Sequence, residues 1–354
     1  MTILAQIIDA AVGVDTHRDT HEAEITSPTG AVLATTQVPN TSAGFIRLLD
    51  WITEHAPGPN VVVAVEGTRS YGIGLTRSLT AAGLTVLECE QPTTTARRGK
   101  GKTDAIDAHL AALFVLRQDD RHLPTPRADG IREGLRILLS ARSELTTTST
   151  AQTNRLRALL LTGDDEDRDT ARRALTDTAL AGLARRRRPT STHPHERVRH
   201  GELRRLAVAL REASRALKAN RAQMLELLHE IAPGLTDRPG VGPVSAAQTV
   251  VSFSHPGRVR NDAAFAALAG TSPLAASSGQ RTRHRLNRGG DRALNRAVHT
   301  ITLTRMRSCP RTRSYVARRT AEGKTTREIR RILKRYITRE LYRALSHPPE
   351  LDNT

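Results

Sequence analysis

Val61-Val62-Val63-Ala64-Val65-Glu66 is an unbroken apolar run, mostly β-branched, that stops at a carboxylate. Such a run marks a strand buried on both faces, and its flanks place it in an alternating unit. Upstream, residues 11–14 (Ala11-Val12-Gly13-Val14) make a short apolar strand ending at Asp15. Residues 22–26 and 31–37 read as its antiparallel neighbours, joined by the turn Ser27-Pro28-Thr29-Gly30. Residues 44–54 have helical periodicity, with Phe45, Leu48, Leu49 and Ile52 on one face. Downstream, 70–82 reads as a helix stopped by Gly83, and 84–89 as a second buried strand.

Three antiparallel strands followed by helix and strand in alternation is the order of an RNase H-like α/β domain, expected over residues 1–125. Its last helix runs from 103 to 117 and repeats Ile106, Leu110, Leu113 and Phe114 at helical spacing. Residues 126–232 predict a helical, coiled-coil-like middle built on two long helices, 131–161 and 202–231. Their sparse leucine stripes suit an antiparallel pair or a dimer seam. The charged stretch 163–200 between them reads as a mobile or partly helical insertion. A mainly α C-terminal domain follows over 233–310, and 311–354 is a basic tail with an amphipathic helix at 325–345.

The formal charge is +18 and the pI about 11.2, which points to a polyanionic partner bound by salt-sensitive attraction. Of the 54 basic residues only Lys100, Lys102, Lys218, Lys324 and Lys334 are lysine. Arginine suits bidentate phosphate contacts, but a GC-rich codon bias gives the same excess, so the charge carries the inference and the residue type does not. Cys89 and Cys309 are too few and too far apart for a disulfide framework or a zinc site. Residues 1–11 lack a basic segment and a cleavage site, and nothing reaches the length of a membrane span. A cytoplasmic protein is expected.

Four carboxylates stand where this fold gathers residues. Asp15 and Glu66 end the two strands, and Asp104 and Asp107, three apart, share a helix face. Strand-end carboxylates facing a helix that offers two more can hold a pair of Mg²⁺ or Mn²⁺ ions, hard cations that polarise a phosphodiester. Taken singly, an acid after a strand is often a turn former or cap, Asp104 suits a helix N-terminus, and Asp107 suits a solvated face. His17, Asp19, His21 and Glu22 match no defensible metal site and read as surface or supporting groups.

In the C-terminal domain, Pro239-Gly240-Val241-Gly242-Pro243 has the form of a helix–hairpin–helix turn. Gly240 and Gly242 would let the backbone approach a phosphate, with helix amides behind them; an ordinary helix-to-helix turn is the plain alternative. Further on, Ser277-Ser278-Gly279 precedes a loop carrying Arg281, Arg283, Arg285, Arg288 and Arg292. A serine among arginines can attack phosphorus, since the cations stabilise charge on phosphate oxygens, although Ser-Ser-Gly in a loop is more often a flexible turn. Lys100 and Lys102 add basic groups beside the acidic helix.

Together these motifs resemble the DEDD transposases of the insertion-sequence 110 family, relatives of the Piv-type DNA invertases, across nearly the whole chain. The matching segments are Val12-Gly13-Val14-Asp15-Thr16-His17, Glu66-Gly67-Thr68-Arg69-Ser70-Tyr71-Gly72, Lys102-Thr103-Asp104-Ala105-Ile106-Asp107-Ala108, the 239–243 hairpin, 265–273, Ser277-Ser278-Gly279 and 290–297. The resemblance implies a RuvC-like domain whose metal tetrad is Asp15, Glu66, Asp104 and Asp107. It also implies a catalytic serine at Ser278, with Ser277 in reserve, DNA strand exchange through a phosphoserine, a structured guide RNA encoded by the element, and a homodimer or tetramer. Thr271-Ser272 stands after Gly270 where the family is apolar, and Asp291 stands where it more often has asparagine. Two rivals remain: a RuvC-like junction nuclease using metal-activated water, and a non-catalytic nucleic-acid-binding descendant.

Overall fold

The computed structural model describes residues 2–89, 104–121, 123–187, 193–254, 258–275, 284–285 and 289–346. Its N-terminal part is built on strands β1 (Ala10–Thr16), β2 (Thr20–Thr26), β3 (Val32–Pro39), β4 (Val61–Glu66) and β5 (Thr85–Cys89), with helices α1 (Ser42–His55), α2 (Ile73–Ala81) and α3 (Asp104–Leu116). The sheet order is β3-β2-β1-β4-β5. The first three strands pair antiparallel, while β1, β4 and β5 run parallel.

Alternation along the strands divides the core into two layers. Val12, Val14, Ala23, Ile25, Val63 and Val65 pack with Phe45, Leu48 and Ile52 of α1 and Leu75 and Leu79 of α2. Ala11, Val62, Ala64, Leu87 and Cys89 pack on the other face with Ala111, Val115 and Leu116 of α3. The valine run of β4 is therefore covered on both sides, as its continuous apolarity requires. Helix α1 starts where the Thr41 side chain accepts from the Gly44 amide at 3.2 Å, a cap that satisfies one of the free first-turn donors.

Contacts divide the chain into two compact units: residues 1–133 with 252–292 and 331–348, and residues 134–251 with 293–330 and 349–354. In the second unit, α4 (Gly130–Leu161) and α7 (Pro194–Ile231) lie antiparallel. Buried Asn220 donates to Leu138 O at 2.9 Å and Arg142 to Leu217 O at 3.2 Å.

The stretch read as a mobile or partly helical insertion is helical over much of its described length. It forms α5 (Asp165–Arg172) and α6 (Asp177–Arg185), and α7 begins at Pro194. Ala171, Leu180 and Leu183 join Leu156, Leu160, Leu203, Leu206 and Leu210 in one core. Asp167, 1% exposed, is held there by Arg186 and by Arg199 at 2.6 Å. Its charge is internal and paired, not solvated.

Helices α8 (Pro243–Phe253), α9 (Asp262–Leu268), α10 (Arg292–Ser308), α11 (Pro310–Ala321) and α12 (Thr326–Ser346), with the short strands β6 (Leu274–Ala275) and β7 (His284–Arg285), complete the fold. In the first unit Phe253, Phe265 and Tyr342 cluster with ring centroids about 6 Å apart. Asp262 meanwhile binds Arg335 and Arg339 of α12. No helix among the described residues is long and apolar enough to cross a membrane.

Candidate active site

Along β1, Ala11 faces α3 while Val12 and Val14 face α1 and α2. Period-two alternation then sends Gly13 and Asp15 toward α3. Val14 pairs with Val65, so Asp15 and Glu66 stand side by side at the C-terminal ends of parallel strands. Glu66 follows Val62 and Ala64 onto the same face.

Gly13 explains how the helix reaches them. A Cβ there would lie 2.0 Å from Ala108 O and 2.3 Å from Ala112 N. The backbone of α3 therefore rests directly on β1, which only glycine permits. Asp107 immediately precedes that contact. Asp15, Glu66 and Asp107 are 5%, 7% and 6% exposed.

Neighbouring groups fix the strand ends. His17 Nε2 lies 3.2 Å from Asp15 Oδ2. Thr16 Oγ1 donates to Glu66 O at 2.7 Å, tying β1 to β4 beyond their last ladder bond. Gly67 takes φ +71°, turning the chain sharply after Glu66. On β2, the buried Glu24 carboxylate accepts from His109 Nδ1 at 2.5 Å, which fastens α3 to the sheet two residues past Asp107. Sequence reasoning missed this pair; the odd-even alternation of β2 and the two-residue step from Asp107 were the available signals.

Three of the four expected ligands thus share one face and one end of the sheet. Asp104 opens α3 one turn before Asp107, and its side chain lies outside the described residues. Among the described residues, no three His, Cys, Asp or Glu side chains gather closely enough to hold a metal ion. By donor chemistry the set fits a hard divalent cation: all are carboxylates, and buried like charges favour a cation among them.

The other predicted groups fare differently. His21 is fully buried and stacks on Phe45 at 5.9 Å, which rules out the surface half of its reading as a surface or supporting group. Alternation on β2 places it on the α1 face, and burial pushes its imidazole below the usual value. Asp19 pairs with Arg18 on the β1–β2 turn, and Glu22 accepts from Gln37.

Gly240 has φ +74° and packs on α10, where Arg305 Nε donates to Pro239 O at 2.6 Å. A Cβ at Gly242 would meet nothing within 4 Å. Arg292 is exposed at the start of α10. Lys100, Lys102, Ser277, Ser278, Arg281, Arg283 and Arg288 lie outside the described residues, as does the side chain of Arg285 in β7.

Two family models match the chain: a DEDD-type transposase model of IS110 over residues 12–163, and the transposase family IS116/IS110/IS902 over residues 232–317. They take in the acidic strands and helix and the hairpin-bearing C-terminal part respectively. The chain belongs to the IS110 family of transposases. One relative in the family, the insertion element IS110 uncharacterized 43.6 kDa protein of Streptomyces coelicolor, is 35% identical over 132 residues. That match covers 37% of this chain and only 32% of the relative's length.

At the end of β5, on the opposite face from the carboxylates, this family member carries a buried ion cluster. Arg127 holds Glu88 through its amide (3.0 Å), Nε (2.9 Å) and Nη2. Arg69 stands 3.6 Å away. Burial draws the Glu88 carboxyl upward, but Arg127's hydrogen bond and charge, aided by Arg69, outweigh it and hold the group below its ordinary range. Burial and the charges of Arg127 and Arg69 likewise push the Arg132 guanidinium down to about 10.

A depressed carboxylate pKa contributes stability that is complete above the unfolded value, about 4.3, and is lost as pH falls through the folded one. Glu88→Gln is therefore expected to destabilise the protein at pH 7 and to matter less at pH 3. Urea unfolding at the two pH values checks it, and a difference that does not shrink in acid refutes it.

Proposed function

We propose that this protein is the recombinase of an insertion sequence, cutting and rejoining DNA strands through a phosphoserine intermediate. The observation that carries the reading is the burial of Asp15 and Glu66 at the C-terminal ends of β1 and β4, on the face covered by α3, together with the burial of Asp107 on α3 itself. With the β3-β2-β1-β4-β5 order, it supports an RNase H-like, RuvC-like domain. Asp15, Glu66, Asp104 and Asp107 would hold Mg²⁺ or Mn²⁺. Such ions, when bound, polarise the phosphate and stabilise charge on its oxygens.

Ser278, with Ser277 in reserve, supplies the nucleophile. Its hydroxyl oxygen bonds to phosphorus, the bond to one deoxyribose oxygen breaks, and the serine proton ends on that leaving hydroxyl. A hydroxyl of another strand then attacks the phosphoserine, restoring serine and a phosphodiester without ATP. Arg281, Arg283, Arg285, Arg288 and Arg292 neutralise phosphate in this loop, and Lys100 and Lys102 do so near the acidic helix.

DNA binding through the Gly240–Gly242 hairpin draws support from its firm seat on α10 and from Arg311, Arg313 and Arg318 on adjoining α11. A structured guide RNA would supply sequence choice by base pairing, which would explain how a chain with 3% aromatic residues can be selective. Exposed Ile137 and Leu161 on α4 and Val198 and Val208 on α7 support assembly as a dimer or tetramer along the long helices. The protein acts in the bacterial cytoplasm, on the nucleoid.

Covalent trapping tests the chemistry. With Mg²⁺ and branched or element-end DNA, the protein is expected to form a denaturation-resistant DNA adduct that Ser278→Ala eliminates. Cleavage that persists in Ser278→Ala and in Ser277→Ala without any adduct establishes the junction nuclease instead. No metal-dependent cleavage of any such DNA establishes the non-catalytic binder.

A further inference from the structure

The two loops that leave the carboxylate strands carry groups that the proposed chemistry does not use. After Asp15, the β1–β2 turn presents Arg18, whose side chain is 77% exposed. After Glu66, the turn into α2 presents Arg69, 42% exposed, and Tyr71, 52% exposed. Tyr71 lies five residues past Glu66 in a chain with only four tyrosines.

These loops are set in place. The Asn40 side-chain amide lies 3.1 Å from Arg18 O, 3.4 Å from Tyr71 O and 3.5 Å from His17 O, so one amide ties both loops together. Gly72 N and Ser70 N donate to Gly67 O at 3.1 and 2.9 Å, closing the second turn on itself. A Cβ at Gly72 would meet Val65 Cγ1 at 2.9 Å, so that turn sits tightly on β4.

Arg18 is loosely engaged by comparison. It pairs with its exposed neighbour Asp19, a contact of little worth in water, and can exchange to phosphate at small cost. Arg69 turns instead to buried Glu88, 3.6 Å away on the other face of the sheet.

We propose that Arg18 and Tyr71 form a seat for one unpaired nucleotide of the DNA strand at the acidic end of the sheet, Tyr71 stacking on the base and Arg18 taking a flanking phosphate. A phenol ring offers every base a π-face, so the seat selects unpaired over paired DNA and is indifferent to sequence. It deepens the recombinase reading and rests on it for the strand's identity: a strand about to be exchanged must leave its duplex.

The test uses full-length protein in EDTA, with fluorescence anisotropy on a thymidine 12-mer, a duplex of equal length and a uridine 12-mer of RNA. Tyr71→Ala is expected to weaken single-stranded DNA about tenfold and the duplex less than twofold. Tyr71→Phe binds as the parent does. Arg18→Gln flattens the salt dependence for single strands by about 0.7, with the melting temperature unchanged.

The seat is refuted if Tyr71→Ala binds single-stranded DNA like the parent, loses duplex equally, or responds only on RNA. Because no cleavage enters this readout, an adduct that survives in Ser278→Ala overturns the proposed chemistry and leaves the seat standing.

Discussion

Asp15→Asn is expected to lower Mg²⁺-dependent strand cleavage by about 10²–10³-fold while the protein keeps its melting temperature and its affinity for DNA. The substitution preserves size in a site only 5% exposed and removes one charge from the group that would grip a cation. Its neighbour His17, with Nε2 3.2 Å from Asp15 Oδ2, can still be met by the amide. The same direction holds for Asp107→Asn and Glu66→Gln.

Since the carboxylates act as a unit, the double variant Asp15→Asn, Glu66→Gln should be scarcely worse than either single one. Additive losses would mean that the acids work independently, as turn formers or fasteners do. Cleavage rates measured against Mg²⁺ concentration separate the outcomes: a ligand loss raises the metal requirement, and a purely structural loss lowers the melting temperature with it. Unchanged cleavage in Asp15→Asn removes the acidic site from the mechanism.

How far the sequence foretold this depends on where the deciding information lay. The five strands were legible because each carries its own signal. The valines of β4 are covered on both faces, and β2 alternates Glu22 and Glu24 against Ala23 and Ile25. That Asp15 and Glu66 stand at strand ends was legible because the apolar runs before them mark the strands. His21 was not: a histidine in a polar turn reads as surface until alternation is followed through to Phe45. The charge run at 164–167 hid a buried Asp167 because its partners Arg186 and Arg199 come from α6–α7 chain 19 and 32 residues on. A pairing at such separation leaves no local periodicity to read. Ser278 was singled out through resemblance, since two serines before a glycine have no distinguishing pattern of their own.

Gly13 shows the same limit and permits the sharpest test of it. A glycine inside a strand weakens the strand and signals only that something approaches closely; what approaches is α3, 95 residues later. Gly13→Val is expected to destabilise the protein by about 3 kcal/mol, at the upper end of overpacking costs. The clash is with Ala108 O and Ala112 N, backbone atoms of a helix that cannot rotate aside as a side chain would. Even Gly13→Ala meets the 2.0 Å contact, so it should cost nearly as much.

Gly182→Ala supplies the opposite sign. That glycine lies within α6 with nothing within 4 Å of an added Cβ, so alanine's better helix propensity should stabilise by about 0.5–1 kcal/mol. Denaturant midpoints decide between local propensity and close approach as the source of Gly13's importance. If Gly13→Ala is neutral, α3 does not rest on β1, and Asp107 loses the contact that seats its helix on the sheet. If Gly13→Val folds but sheds Mg²⁺-dependent cleavage beyond its loss of stability, the helix has been lifted off the strand, and the seating of α3 on Gly13 is what assembles the acidic site.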